Sequence, residues 1–377
     1  MIRFALIVAL VLAAAAALGG AAVVVSGVAS ISAVEGHWRP TAWLLEFAKR
    51  RSVATHSARI ATPPLDSDAL ILRGAGHFES ACRRCHGAPG GGSPQMLRYL
   101  VPRPPNLLFA PDRYSPAELF YIVRNGIKLS GMPGWAAPER DDEVWAMVAF
   151  LQLLPSLTPE RYAALVHGDT LAARETPGTP APDGPASDAP AVVGTLCARC
   201  HGFDGLGRIP GAFPKLAGQT ADYLYLSLRA YAYGGRHSGI MGPVAADLTD
   251  RGMREAAEYY AQLPGLTAAP SPPVEASARA IAERGIPSRR VAACLACHRP
   301  APPFNPVYPR LGGQYAEYLE LQLALFAERR RGGTAYAHLM HLSVDGLTPD
   351  ERREVARYFG TPTEVGPASE RVGAASP

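Results

Sequence analysis

Three copies of one five-residue pattern, Cys-x-x-Cys-His, constrain this chain more than any other feature. They consist of Cys82, Cys85 and His86; Cys197, Cys200 and His201; and Cys294, Cys297 and His298. Together they use all 6 cysteines of the sequence. Two thiols at this spacing can form thioethers to the two vinyl groups of one haem, while the adjacent imidazole reaches the iron. The pattern therefore predicts three covalently bound c-type haems, one at each motif.

Two other chemistries use closely spaced cysteines. A structural zinc site needs four ligands, and none of the motifs has a second cysteine pair or a nearby pair of histidines to complete a tetrahedron. A redox dithiol would explain the cysteines but not the histidine that follows each pair. Zinc and disulfide chemistry remain alternatives to haem.

Length and composition favour several small helical domains. A chain of 377 residues is long enough for about two to four domains, each with its own core. Its 37 Gly and 36 Pro fit short helices joined by long loops better than they fit a sheet protein, and no region has a convincing strand pattern. The formal charge of +4, which haem propionates would offset, gives no support for a nucleic-acid partner.

The N-terminal segment is apolar from residue 4 to residue 25, and no charged residue lies between Arg3 and Glu35. Such a stretch is long enough to cross a bilayer core of about 30 Å as a helix. We expect a retained transmembrane anchor, and a signal peptide cleaved near Ala29 is the alternative. Several basic residues follow on the side that we place outside, against the positive-inside tendency. Covalent haem attachment in bacteria takes place outside the cytoplasm, which favours a cytoplasmic-membrane anchor with the haem domains in the periplasm.

A second helix is predicted directly after the anchor, from Thr41 to Ser57. Trp38 and Trp43 stand at its start, where aromatic residues often meet a membrane interface. We expect this helix either to rest on the membrane surface or to pack on the first haem domain.

Proline-rich stretches divide the rest of the chain into three units, each with one haem motif near its start. The predicted organisation is an anchor or signal at 1–35, a membrane-proximal helix at 36–65, unit 1 at 66–160, a linker at 161–189, unit 2 at 190–264, a linker at 265–275, unit 3 at 276–361 and a tail at 362–377. Units 2 and 3 form an internal repeat, because the segment from Pro214 to Gln219 returns as the segment from Pro309 to Gln314.

Each unit also offers a methionine as the sixth ligand of its iron. Met132, Met241 and Met340 all stand between the middle helix and the last helix of their units. The soft thioether sulfur favours ferrous iron and is common in electron carriers. The rival ligands are His237 for unit 2 and, for unit 3, the two histidines that flank its methionine, His338 and His341.

Each unit resembles a class I cytochrome c: an N-terminal helix, the Cys-x-x-Cys-His motif, a Pro-Leu segment, a methionine region and a C-terminal helix. Units 2 and 3 together resemble the dihaem cytochrome c4 proteins, through the segment from Phe213 to Gln219, Met241-Gly242-Pro243 and Gly285-Ile286-Pro287. Unit 1 resembles the monohaem domains of membrane-anchored bacterial cytochromes, through Gly126-Ile127-Lys128 and the segment from Gly131 to Trp135. Unit 3 departs from the pattern, since Arg299 follows its motif where glycine is usual.

This resemblance implies an all-α fold with three tandem class I cytochrome c domains behind an N-terminal transmembrane helix. It also implies that the backbone carbonyl groups of Pro105, Pro214 and Pro309 accept a hydrogen bond from the motif histidines. The implied axial ligands are His86 with Met132, His201 with Met241, and His298 with Met340.

The implied function is electron transfer without catalysis. The chain would pass single electrons between a membrane donor, such as a quinol-oxidising complex or a dehydrogenase, and an acceptor such as a terminal oxidase. One alternative makes it the cytochrome subunit of a membrane dehydrogenase. Another is a haem oxidoreductase with one open iron, for which the extra histidines are the supporting features.

Overall fold

The structure is a computed structural model that describes residues 2–28, 30–32, 34–92, 95–168, 189–266, 275–299 and 305–360. Within these ranges the chain is helical and has no β-strand, only two isolated bridges, Ala88 with Gly91 and Ile286 with Val291. The all-α prediction is confirmed. Most of the predicted linker between units 1 and 2, part of the second linker and all of the tail lie outside the described residues.

The N-terminal helix α1 spans Ile2–Ser26 and has no buried residue. Its mean hydropathy is 2.6, so it is long and apolar enough to cross a membrane, a test that a signal sequence also passes. Helix α2 spans Arg39–Ser57 and begins two residues before the prediction, because Pro40 is favourable in a first helical turn.

The two halves of α2 have different surroundings. In the C-terminal half, Val53 is buried and the ring of His56 stacks on Tyr121 of unit 1 at 5.4 Å. In the N-terminal half, Trp43 and Phe47 stack on each other at 5.6 Å and remain exposed. The predicted packing on unit 1 therefore holds for the C-terminal half.

Unit 1 is built from four longer helices and several short turns. The longer helices are α3 Asp68–His77, α4 Pro116–Asn125, α5 Asp141–Leu153 and α6 Pro159–His167. The short segments are the π-turn Phe78–Cys82, the turn Arg83–His86 and the turns Gln95–Tyr99, Leu107–Phe109, Ala110–Arg113 and Leu154–Ser156. Helix α4 begins with a capping box of Ser115 and Glu118.

Helices α3 and α5 cross closely in the core of unit 1. A Cβ on Gly74 would collide with the backbone carbonyl group of Ala146, so only glycine permits this crossing. Helix α6 contributes Tyr162 and Val166 to the same core, beside Phe150. The apolar face of α6 is thus buried against unit 1 as far as Val166, which lies beyond residue 160, the predicted end of that unit.

Units 2 and 3 repeat the same order of elements. In unit 2 the π-turn Val193–Cys197 and the turn Ala198–His201 precede α7 Ala221–Ala232, α8 Met241–Ala246 and α9 Asp250–Gln262. In unit 3 the helix α10 Ala276–Arg284, the turn Pro287–Arg289 and the turn Cys294–Cys297 precede α11 Ala316–Ala327, α12 Ala337–Val344 and α13 Pro349–Phe359. The internal repeat is thus present in the fold, and α13 begins with a capping box of Thr348 and Glu351.

Candidate haem sites

The three motif histidines are held in the same way. Nδ1–H of His86 donates to the carbonyl oxygen of Pro105 at 2.8 Å. The corresponding bonds from His201 to Pro214 and from His298 to Pro309 measure 3.1 Å and 2.8 Å. A hydrogen bond at Nδ1 fixes the tautomer and leaves Nε2 as the nitrogen that can bind iron. All three carbonyl contacts implied by the resemblance are present.

Burial keeps these imidazoles neutral. It lowers the pKa of His201 to about 4, against the smaller opposing effect of the bond to Pro214. Burial also lowers the pKa of His86 and of His298. A neutral imidazole is the form that binds iron, so each motif presents a ready ligand at neutral pH.

Burial also keeps the thiol of the first cysteine of each motif protonated. Burial, with the neighbouring cysteine as a further cause, raises the pKa of Cys82 and of Cys197 to about 12. Burial raises the pKa of Cys294 to about 11. All six thiols are free of disulfides, and no group of three or more His, Cys, Asp or Glu in the described chain could hold a metal ion. The described geometry therefore gives no support to the zinc or disulfide alternatives.

Units 2 and 3 share one large cavity. It encloses about 2890 Å³ of empty space, including the part open to solvent. The motif residues of both units line it, namely Cys197, Cys200, His201, Cys294, Cys297 and His298. Met241 and Met340 line the same cavity. The structure thus brings the motif and the methionine of each of these two units to one shared space.

The methionines lie between the middle and last helices, as predicted, but in three different local structures. Met132 is a half-buried loop residue between α4 and α5, and its N–H donates to Ser130 Oγ at 3.2 Å. Met241 is the first residue of α8, and Met340 lies inside α12. The sequence did not reveal the short helices that hold Met241 and Met340, because these helices have no clear apolar period.

The rival histidines lie away from the cavity lining. His237 is half exposed, and its ring contacts the carboxylate of Glu139. His338 is exposed. Nε2–H of His341 donates to the carbonyl oxygen of Arg331 at 2.7 Å, and its ring meets Phe326 edge-on at 5.7 Å.

Two buried arginines in the cavity wall escaped sequence analysis. Arg236 donates to the hydroxyl oxygen of Tyr318 at 3.1 Å, and Arg331 donates to the hydroxyl oxygen of Tyr223 at the same distance. Both also reach Oε1 of Gln322, at 3.3 Å and 2.7 Å. Guanidinium groups at this depth suit the anionic propionates of a haem. One signal was available in the sequence, since Arg236 follows Gln219 at the same interval at which Arg331 follows Gln314.

Gln219 and Gln314 join units 2 and 3 through reciprocal hydrogen bonds. Gln219 donates from Nε2 to the carbonyl oxygen of Arg310 at 2.8 Å and accepts from its N–H at 2.9 Å. Gln314 makes the equivalent pair of bonds with Lys215, both at 3.0 Å. Each glutamine therefore holds the residue that follows the histidine-binding proline of the opposite unit. The sequence shows these glutamines as matching positions of the internal repeat, but not this exchange of bonds.

Comparison with known proteins agrees with this geometry. Residues 69–151 match the family model "Cytochrome C oxidase, cbb3-type, subunit III", and residues 186–268 match the model "Cytochrome c". Over 167 residues the chain is 33% identical to cytochrome c4 of Thiocapsa roseopersicina, covering 44% of this chain and 85% of that protein. It belongs to the cytochrome c4-like c-type cytochromes.

This cytochrome is also similar to the thiosulfate dehydrogenase electron acceptor of Stutzerimonas stutzeri (strain A1501). The two are 34% identical over 167 residues, which is 43% of this chain and 77% of the relative. A solved structure of reduced recombinant cytochrome c4 from Pseudomonas stutzeri is 27% identical and covers 44% of this chain and 92% of that one, with a TM-score of 0.40. As a c-type cytochrome, the chain binds haem c covalently and transfers electrons.

Proposed function

We propose that this protein is a trihaem electron relay, with one haem c in each unit and no catalytic reaction of its own. The observation that carries the proposal is the histidine geometry. Three separate Cys-x-x-Cys-His motifs each direct Nδ1–H to a proline carbonyl group and keep Nε2 for iron. When bound, haem supplies a one-electron couple between ferrous and ferric iron.

Met132, Met241 and Met340 are the proposed distal ligands. For units 2 and 3 the support is that the methionine and the motif of each unit line one cavity, whereas His237, His338 and His341 do not line it. For unit 1 the support is the position of Met132 in the loop between α4 and α5. Iron with histidine and methionine ligands has no open position for a substrate, which favours the carrier over the haem oxidoreductase.

The location that we propose is the periplasmic face of the bacterial cytoplasmic membrane, with α1 as the single anchor. The uninterrupted apolar helix supports it. The exposed aromatic side chains of Trp43 and Phe47 lie on the helix that follows, and such residues favour a membrane interface. In this arrangement α2 would lie between the bilayer and unit 1.

The proposed partners are a membrane-associated donor and a terminal acceptor. Unit 1 matches a model of an oxidase subunit, which supports an oxidase as the acceptor. The likeness to a thiosulfate dehydrogenase electron acceptor supports a dehydrogenase as the donor. The second of these also favours the alternative in which the chain serves as the cytochrome subunit of such a dehydrogenase. Partner encounters of electron carriers are weak and depend on ionic strength.

The experiment that tests the relay is a haem count combined with ligand variants of the detergent-solubilised full chain. Denatured protein should keep its colour after acetone extraction and give a pyridine haemochrome spectrum for three haems per chain. Met132→Ala, Met241→Ala and Met340→Ala should each remove part of the weak near-infrared sulfur-to-iron band and create a site that binds carbon monoxide. Carbon monoxide binding by the unaltered protein at one haem would instead favour the oxidoreductase.

A further inference from the structure

Unit 1 lies directly on the haem motif of unit 2. At Gly76 in α3, a Cβ would stand 3.1 Å from Sγ of Cys200 and 3.4 Å from the ring of Phe213. Cys200 is half-buried, whereas the second cysteines of the other two motifs, Cys85 and Cys297, are exposed. Within the part of the chain that the structure describes, unit 1 thus covers the Cys200 edge of unit 2.

A buried carboxylate holds unit 1 to the methionine loop of unit 2. Glu143 of α5 is only 3% exposed. Its Oε1 accepts from Ser238 Oγ at 2.5 Å, and its Oε2 accepts from the N–H of Gly239 at 2.7 Å. Ser238 Oγ in turn accepts from the N–H of Met241 at 2.9 Å. Two hydrogen bonds therefore separate Glu143 from the backbone of the proposed iron ligand.

The same carboxylate also reaches the methionine loop of unit 1. Nε1–H of Trp135, three residues after Met132, donates to Oε2 of Glu143 at 3.0 Å. Arg140 lies 3.1 Å from Oε1 and donates to the carbonyl oxygen of His237 at 2.9 Å. Glu143 is thus a single point at which the distal loops of two units meet.

An arginine of unit 1 holds the opposite side of the unit 2 site. Arg73 of α3 donates to the carbonyl oxygens of Gly211 and Ala212, both at 3.1 Å. This loop leads into Pro214, whose carbonyl group fixes His201. Glu143 thus holds the loop that leads into Met241, and Arg73 holds the loop that leads into Pro214. Gly76 lies against Cys200, between these two loops.

We propose that Arg73, Gly76 and Glu143 make the Cys200 edge of unit 2 an internal electron-transfer junction with unit 1. Glu143 and Arg73 act as positioning residues, and Gly76 permits the close approach. External proteins would then exchange electrons at units 1 and 3. This inference rests on the proposed relay, because a junction has a function only if electrons pass between the units.

The test is pulse reduction of the full-length holoprotein, following redistribution of electrons that is independent of protein concentration. Glu143→Ala should slow redistribution between unit 1 and unit 2 by about tenfold or more, because transfer depends steeply on positioning. It should also shift the near-infrared band and the potential assigned to unit 2, with those of unit 3 unchanged. The redistribution rate of Glu143→Gln should lie between those of the unaltered protein and Glu143→Ala, since the amide keeps one acceptor oxygen. Glu160→Ala, at an exposed position in α6, is the matched control and should leave both readouts unchanged.

Gly76→Leu supplies an independent variant, because it places a side chain against Cys200 without removing a hydrogen bond. It should slow the same step, whereas Gly74→Ala should disturb the core and spectrum of unit 1 instead. Wild-type rates and potentials in both Glu143→Ala and Gly76→Leu would overturn the junction while leaving the relay intact. No redistribution in the unaltered protein would contradict the relay itself.

Discussion

The two contacts between haem units are built on different principles. Between units 2 and 3 two sets of contacts are reciprocal: Gln219 and Gln314 exchange equivalent backbone bonds, and Arg236 and Arg331 donate to equivalent tyrosines. Between units 1 and 2 the contact is directional, because charged side chains of unit 1 reach backbone groups of unit 2.

This difference has a consequence for how mutations act. In the reciprocal contact, a change on either side disturbs the histidine-binding segment of the opposite unit, so both units should respond. In the directional contact, Arg73 binds backbone groups of unit 2, and Glu143 binds groups of both units. Arg208 and Ser238 of unit 2 reach back to unit 1, so the loss of Arg73 should affect unit 2 first. The three predictions below test that distinction, from the largest effect to the smallest.

The largest effect concerns pH and His77, which lies at the directional contact with its ring 4.5 Å from that of Trp135. Burial, with Arg199 as a second cause, lowers the pKa of His77 to about 4. In the unfolded chain an imidazole binds its proton near pH 6.5, so between pH 6.5 and 4 the unfolded state holds more protons and stability falls as pH decreases. The loss should approach about 3 kcal/mol at pH 4 and should be absent above pH 6.5.

Guanidinium unfolding of the holoprotein at a series of pH values, monitored through the spectrum of unit 1, measures this loss. His77→Phe should flatten the pH dependence between 4 and 6.5. His56→Phe is the control, since His56 is exposed on α2. An unchanged slope in His77→Phe would show that another group causes the acid sensitivity, and an equal slope for unit 3 would remove the contrast between the two contacts.

The fold was largely predictable from the sequence, for reasons that particular residues illustrate. The motifs, the capping boxes at Ser115 and Thr348 and the apolar periods are local signals, and all of them correspond to elements of the structure. Helix α6 was missed because its apolar face becomes meaningful only against the core of unit 1, which includes Phe150. The proline carbonyl bonds came from family likeness and not from any local pattern.

The contacts between units could not be predicted, because they depend on residues far apart in sequence. Glu143 looks like an ordinary acidic residue in the first turn of a helix, where it favours the helix dipole. Nothing near it in the chain indicates that it is buried or that it meets Ser238. The paired positions of Arg236 and Arg331 were visible in the repeat, but their burial was not.

The intermediate effect tests reciprocity directly. Gln219→Ala and Gln314→Ala each remove two hydrogen bonds to the backbone of the opposite unit, which should cost about 2 kcal/mol in the free energy of unfolding. Gln314→Ala should cost somewhat more, because Gln314 also accepts from the N–H of Tyr315. Each variant should shift the potentials of both units 2 and 3, because Arg310 and Lys215 adjoin the prolines that fix the histidines. Redox titration and chemical unfolding provide the measurements. A shift confined to one unit would show that the contact is not reciprocal in function.

The smallest effect compares one surface arginine with one surface lysine across the two contacts. Arg208 of unit 2 donates to the carbonyl oxygens of Leu165 and Ala164 near the C-terminus of α6, where a positive charge also favours the helix dipole. Lys215 donates to Gly313 at 2.7 Å and lies over the ring of Tyr315. Arg208→Ala should cost about 1 kcal/mol and Lys215→Met rather less, since methionine keeps the apolar contact with the ring. Hydrogen exchange should show lost protection at α6 in Arg208→Ala and at the contact between units 2 and 3 in Lys215→Met. Faster exchange at α6 in Lys215→Met would mean that the two contacts are coupled through unit 2, and the separation between a directional and a reciprocal contact would then fail.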